Sequence, residues 1–253
     1  MIILKSEAEI EKIRVACQIV AETLEYLKEN VKPGITTTDL DRMAEERILK
    51  KGGKPAFKGY RNFPATLCAS INSEVVHGIP SKKSVLNEGD IIGLDLGAIV
   101  DGFYGDAAIS VPVGEISAEA RNLIKTTEES LYKGIEQARM GNRLSDISHA
   151  VQVHVEAAGY SVVRDFVGHG IGRNLHEDPQ IPNYGEPGQG PRLKKGMVLA
   201  LEPMVNMGKN PVMILDDKWT VVTRDGSLSA HFEHTISITE NGPVILSSLK
   251  KDF

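Results

Sequence analysis

Residues 90–114 read DIIGLDLGAIVDGFYGDAAISVPVG, two apolar runs joined by Asp101-Gly102. Asp-Gly between strand-forming residues is a strong signal for a two-residue type I′ hairpin, whose two central residues must both take positive φ. In such a hairpin, residues whose numbers sum to 203 stand opposite, so Asp106 faces Gly97 and lies diagonal to Asp95 on the same surface. Diagonal neighbours sit roughly 7 to 8 Å apart, close enough for two carboxylates to converge on a shared pair of cations. Ile92, Leu94 and Leu96 take the opposite face, the one to be packed on helices.

Two later segments follow the same alternation. In MVLALEPMV (residues 197–205), Met197, Leu199 and Leu201 share one face, and Glu202 joins Val198 and Ala200 on the other. In HFEHTISIT (residues 231–239), Phe232, Ile236 and Ile238 face one way and Glu233 the other. An acid on the less apolar face of strand after strand is unremarkable if solvated. Turned toward a shared concavity, it forms a metal cage.

Helices flank these strands. Between Ser6 and Asn30, Ile10, Ile13, Cys17, Val20, Leu24 and Leu27 recur at helical spacing behind a Ser6/Glu9 capping box. Further helices are predicted at about 38–51, 117–140 and 145–158. Shifting residue 34 onto 141 superposes Gly34 on Gly141, Asp39 on Asp146, Leu40 on Ile147, Ile48 on Val155 and Gly52 on Gly159, a weak internal repeat of 107 residues.

The 253 residues, 41% hydrophobic and 25% charged, suit one folded α+β domain. A net charge of −5 argues against nucleic acid as a general partner. Lys50, Lys51, Lys54, Lys58 and Arg61 form a basic cluster that reads as solvated surface. Cys17 and Cys68 are too few for a disulfide framework, which favours a reducing, cytoplasmic setting. The start MIILKSEAEIEKIR has neither a secretory apolar core nor the length to span a membrane. No long apolar surface run demands a dimer, so a monomer is expected.

The stretch DFVGHGIGRNLHEDPQ (165–180) holds His169 inside a glycine cluster and His176 beside an acidic pair. The spacing is not that of two zinc-binding histidines on one helical turn, and the glycines argue against a helix. A histidine lifted on such a loop needs ligands from elsewhere in the chain.

Five ordered motifs supply them: INSEVVHGIP (71–80), DLGAIVDGFYGD (95–106), GHGIGRNLHEDP (168–179), LALEPM (199–204) and FEHTI (232–236). Together, across nearly the whole chain, they make it resemble the type I methionine aminopeptidases of the pita-bread metallopeptidases. The resemblance implies an α+β fold with pseudo-twofold symmetry and a curved antiparallel sheet, helices on its convex face and the active centre on its concave face. It implies a single catalytic domain over residues 1–253, built from related halves at roughly 5–112 and 113–249. It implies that Asp95, Asp106, His169, Glu202 and Glu233 bind two divalent ions, with cobalt, manganese, iron and zinc all chemically suited.

By the same resemblance, Glu202 shuttles a proton to and from water held by the ions, His176 donates to the developing oxyanion and His77 holds the scissile amide. Tyr60, Phe63, Cys68 and Trp219, with Phe57 and Leu175 nearby, line a pocket for methionine. The implied reaction removes the initiator methionine from nascent proteins and peptides, with a small second residue preferred and the ribosome a candidate partner. The chain departs from the family's pattern at Phe57, Leu175, Tyr104 and Ala107, where cysteine, an aromatic residue, histidine and threonine are common. Two other readings are an Xaa-Pro aminopeptidase, whose relatives usually carry a large amino-terminal domain, and a pita-bread binding module that has lost its ligands. Only 25 residues separate His176 from Glu202, where the long form inserts a helical segment.

Overall fold

The computed structural model describes residues 1–249. The chain opens with α1 (Glu7–Asn30) and α2 (Thr37–Lys50), then β1 (Lys54–Pro55), β2 (Leu67–Ile71), β3 (Glu74–Val76) and the hairpin β4 (Ile91–Val100) and β5 (Phe103–Pro112). Next come α3 (Ala118–Gln137), α4 (Leu144–Ala157), β6 (Ser161–Val162), β7 (Gly168–Gly170), β8 (Glu177–Ile181) and β9 (Val198–Leu201). Six short strands finish the described chain: β10 (Met204–Asn206), β11 (Val212–Ile214), β12 (Val221–Thr223), β13 (Ser229–His231), β14 (Glu233–Thr239) and β15 (Gly242–Ile245). The four predicted helices match α1 to α4 to within a few residues at each end, and the Ser6/Glu9 capping box is present.

The hairpin forms in the predicted register, Gly97 opposite Asp106, with Asp101 at φ 49° and Gly102 at φ 76°. It lies in a nine-stranded antiparallel sheet of order β1-β4-β5-β14-β9-β7-β8, with β2 also on β4 and β15 also on β14. Here β5 and β14 meet at two pairs only, Glu233 with Ala108 and His234 with Ala107. Two expected strands are each interrupted. The 197–205 segment divides into β9 and β10, which lie in different sheets, and Glu202-Pro203 forms the break. The 231–239 segment divides at Phe232 into β13 and β14. Proline has no N–H to give a ladder, so the alternation of side chains continues while the pairing does not.

Helices cover one face of this sheet. Ile92, Leu94 and Leu96 pack with Ile13, Cys17, Val20 and Leu24 of α1. The approach is close: a Cβ at Gly105 would lie 2.4 Å from the Cys17 backbone nitrogen, so α1 rests on the bare backbone of β5. On the other side of the sheet's midline, Leu131 and Ile135 of α3 pack with Leu199, Leu201, Phe232, Ile236 and Ile238. Phe232 thus keeps its predicted face although it lies outside a strand.

The interval of 107 residues recurs in the fold. It carries α2 onto α4 and β1 onto β6, and it carries the isolated bridge Thr36–Val85 onto Arg143–Arg192. Gly34 and Gly141, at φ 89° and 92°, donate to the carbonyls of Leu86 and Leu193, again one interval apart. The same interval carries Asp95 onto Glu202.

Candidate metal centre and adjoining cavity

The face of the sheet opposite the helices carries the acids. Asp95 on β4 and Glu233 at the start of β14 both pair with Ala108, so they flank one small residue of β5 in a single row. Asp106 stands two positions back on β5, on the same face. His169, in the middle of β7, pairs with Ala200 of β9, and Glu202 follows β9 directly. Strand alternation and sheet order therefore turn all five side chains toward one cavity.

One ligand atom each from Asp106, His169 and Glu233 lie within 4.8 Å of one another, and all three residues are buried. Nε2 of His169 is 3.4 Å from Oε1 of Glu202. The Nδ1 of His169 sits 2.9 Å from the Gly170 carbonyl, so Nδ1 carries the proton and Nε2 keeps a free lone pair. Burial, and the neighbouring His176, push the His169 pKa down to about 3, so the contact with Glu202 joins a neutral imidazole to a carboxyl and is no ion pair.

The carboxylates are displaced in the other sense. Burial raises Asp95 to about 7. It holds Asp106, Glu202 and Glu233 well above the usual carboxylate range, and their mutual repulsion adds to the effect. Among the described residues, Asp95 Oδ1, Asp106 Oδ1 and Glu233 Oε1 are buried without a hydrogen-bond partner. Buried polar atoms normally find partners, and unpaired buried charge is costly. Oxygen-rich orphans beside a free imidazole nitrogen are the donor set a divalent first-row metal takes. The residues present fit such a centre.

A cavity of about 390 Å³ opens beside the acids, and every candidate residue named from the sequence lines it. Phe63 and Trp219 meet edge to face at 5.1 Å between ring centroids. Phe57 and Leu175 are buried in its wall. Burial and the adjacent carboxylates raise the Cys68 thiol well above its ordinary pKa, so it stays protonated, a soft neutral wall. The Tyr60 hydroxyl lies 2.7 Å from Nδ1 of His176, whose ring is 4.3 Å from that of His169. His77, at φ 61°, sits edge-on to Phe166 and Trp219, and burial depresses its pKa to about 4.

Sequence reasoning missed Phe166, Val167, Gln180 and Met204, which also line the cavity. Met204 was recoverable: it lies two residues beyond Glu202, on the face that alternation assigned to the acid. Arg61 is exposed, as expected of the basic cluster, and reaches the cavity as well. It stands at the cavity's solvated edge, 5.4 Å from the Tyr60 ring. The rest of that cluster behaves as surface, with Lys58 paired to Glu45 at 2.8 Å and Lys51 to Glu22.

A sequence profile described as metallopeptidase family M24 matches residues 11–240. The chain belongs to metallopeptidase family M24. Among relatives of this M24 chain, a methionine aminopeptidase of Clostridium acetobutylicum is 59% identical, covering 98% of this chain and 99% of its own. The crystal structure of methionine aminopeptidase from Thermotoga maritima superposes with a TM-score of 0.97 at 50% identity, covering 98% of this chain and 100% of that one. A prolidase from Pyrococcus furiosus shares the fold at a TM-score of 0.78 and 25% identity; the M24 chain covers 66% of its length, and 98% of the M24 chain is matched. The curved antiparallel sheet with helices on one face is the pita-bread architecture that these metallopeptidases share. Among the described residues, no helix is long and apolar enough to cross a membrane.

Proposed function

We propose that this protein is a metal-dependent methionine aminopeptidase of type I, removing the initiator methionine from nascent proteins and peptides. One observation carries the reading: three orphaned, buried carboxylate oxygens and a free imidazole nitrogen converge beside a cavity walled by aromatic rings and a neutral thiol. Asp95, Asp106, His169, Glu202 and Glu233 would hold two divalent ions, drawn from cobalt, manganese, iron or zinc. Bound there, the ions would supply Lewis acidity and make water acidic enough to serve as a nucleophile near neutral pH.

The side chains do the rest. Glu202, with its raised pKa, takes a proton from water at a carboxylate oxygen and returns it to the leaving amine. His176, with the Tyr60 hydroxyl donating to Nδ1, keeps its proton on Nε2 and offers it to the developing oxyanion. His77, neutral at physiological pH, orients the scissile amide. Phe57, Tyr60, Phe63, Cys68, Leu175 and Trp219 enclose the methionine side chain, whose polarizable sulfur suits aromatic edges. Small second residues are favoured beyond the scissile bond. Residues 1–253 act as one catalytic domain with related halves at 5–112 and 113–249, as a cytoplasmic monomer that meets nascent chains at the ribosome and binds no specific nucleic acid.

Hydrolysis of Met-Ala-Ser, Ala-Ala-Ser and an Xaa-Pro peptide, with elemental analysis of the same sample, tests this. We expect turnover of the first alone and about two ions per chain. Preference for the Xaa-Pro peptide would favour the prolidase-like reading, and a folded, metal-free, inactive protein would favour a binding module.

A further inference from the structure

His176 stands on the turn between β7 and β8, and that turn is held from an unexpected place. The residue after His176 is Glu177. Its Oε1 accepts from the backbone N–H groups of Arg173 and Asn174 at 2.9 and 3.1 Å, closing the turn on itself. Its Oε2 pairs with the ammonium of Lys5, 172 residues away. Both side chains are almost wholly enclosed, 4% and 5% exposed, so this is a buried ion pair and not a surface one.

The pair is built in from both ends. Lys5 Nζ also donates to the Ile3 carbonyl at 3.0 Å, and the Lys5 backbone N–H donates to the Gly196 carbonyl at 2.7 Å. On the other side, a Cβ at Gly172 would lie 2.4 Å from Lys5 Cε and 2.9 Å from Glu177 Oε1, so only glycine lets the lysine stem through. The Gly172 carbonyl in turn accepts from Tyr104 N–H at 2.8 Å, tying the turn to β5, the strand that carries Asp106. Nothing in the hydrolysis requires an ammonium at this place, and a buried ion pair is a weak source of stability compared with apolar packing of the same volume. What the pair does is fix the backbone at residue 177, one bond from the imidazole-bearing residue.

Resting on the role assigned to His176 in hydrolysis, we propose that Lys5 is a positioning residue for the peptidase reaction: through Glu177 it sets the backbone of the 171–176 turn and so aims the His176 imidazole. Tyr60 holds that ring from its Nδ1 edge, and the Lys5–Glu177 pair holds the main chain beneath it. The hydrogen bonds of Lys5 go to Ile3, Glu177 and Gly196, none of them a candidate metal ligand, so its loss separates aim from metal content.

A double-mutant cycle provides the test, with hydrolysis of Met-Ala-Ser by manganese-loaded protein as the readout. Lys5→Met is expected to lower kcat by about 10- to 10²-fold, the scale on which a displaced catalytic group costs rate, with KM and manganese content near wild type. In a His176→Ala background the same substitution is expected to change kcat less than about twofold, because groups acting as a unit are not additive. Equal fold losses in the two backgrounds, or an unchanged kcat in Lys5→Met alone, would overturn the proposal. Should Lys5→Met fail to fold, Lys5→Met combined with Glu177→Gln leaves no lone buried charge and runs the same cycle, with the same results supporting or overturning the proposal. An inactive wild type would remove the proposed function and this role with it, whereas an active wild type with additive losses removes this role alone.

Discussion

Asp106 is a buried carboxyl whose Oδ1 has no hydrogen-bond partner among the described residues and whose neighbours are other acids. Glu233, on the adjacent strand, is in the same position. That isolation is what supports the ligand role proposed for them. Converting either to its amide, Asp106→Asn or Glu233→Gln, keeps the shape and removes a ligand charge. We expect each to lose manganese and to abolish turnover of a Met-Gly-Met peptide; near-normal turnover by either would contradict the assigned cage. His176 is different in kind, since its Nδ1 is committed to Tyr60. His176→Ala should lower kcat by about 10² to 10³, the cost of one oxyanion donor, with metal content intact. Loss of metal from that variant would move His176 from substrate to ligand.

At the scale of elements, the hairpin was legible because the turn does the arithmetic. Asp101-Gly102 sets the register, the register places Asp106 diagonal to Asp95, and strand alternation does the rest. The interruptions were not legible in the same way. Side chains around Glu202 alternate through Pro203 as if one strand continued, and only the missing N–H of the proline marks the transfer to a second sheet. Cavity residues such as Phe166 were missed because they come from a segment without periodicity, placed by tertiary contacts with His77. The seat of α1 on β5 is another tertiary fact, invisible until Gly105 is seen against the Cys17 backbone. Gly105→Ala should therefore push α1 away and destabilise the protein by about 1 to 3 kcal/mol, as overpacked core positions do. In a chain of this size that is roughly 2 to 4 °C in melting temperature for each kcal/mol. An unchanged melting temperature would show that α1 and β5 are less tightly seated.

For the whole molecule, stability and function pull against each other at the centre. The fold gathers four acids on one buried surface, and without cations each is harder to ionise than in the unfolded chain. Asp95 shows the sign: its folded pKa of about 7 lies above the roughly 3.9 of a free aspartate. Between those values Asp95 holds more proton in the folded state than in the unfolded one, so its contribution to stability falls as pH rises, while buried His77, His169, His231 and His234, depressed to about 3 or 4, act in the opposite sense up to the ordinary histidine value of roughly 6.5. Chelator-treated protein should therefore melt at progressively lower temperature from about pH 6.5, where the unfolded histidines have shed their protons, to about pH 8, through which Asp106, Glu202 and Glu233, raised well above the usual carboxylate range, still hold theirs. Manganese should flatten the decline, because cations replace the protons. Parallel curves with and without metal would mean that the acids are compensated some other way. The internal repeat belongs to this scale too: the 107-residue interval that carries Asp95 onto Glu202 also carries α2 onto α4.

Anomalous diffraction at the manganese edge, from crystals of the manganese-loaded protein, examines the centre itself. Two peaks are expected about 3.5 to 4 Å apart, both against Asp106 and Glu233, one of them reached by Nε2 of His169. Peaks elsewhere, or none at these carboxylates in an active preparation, would contradict a dinuclear centre built by these five side chains.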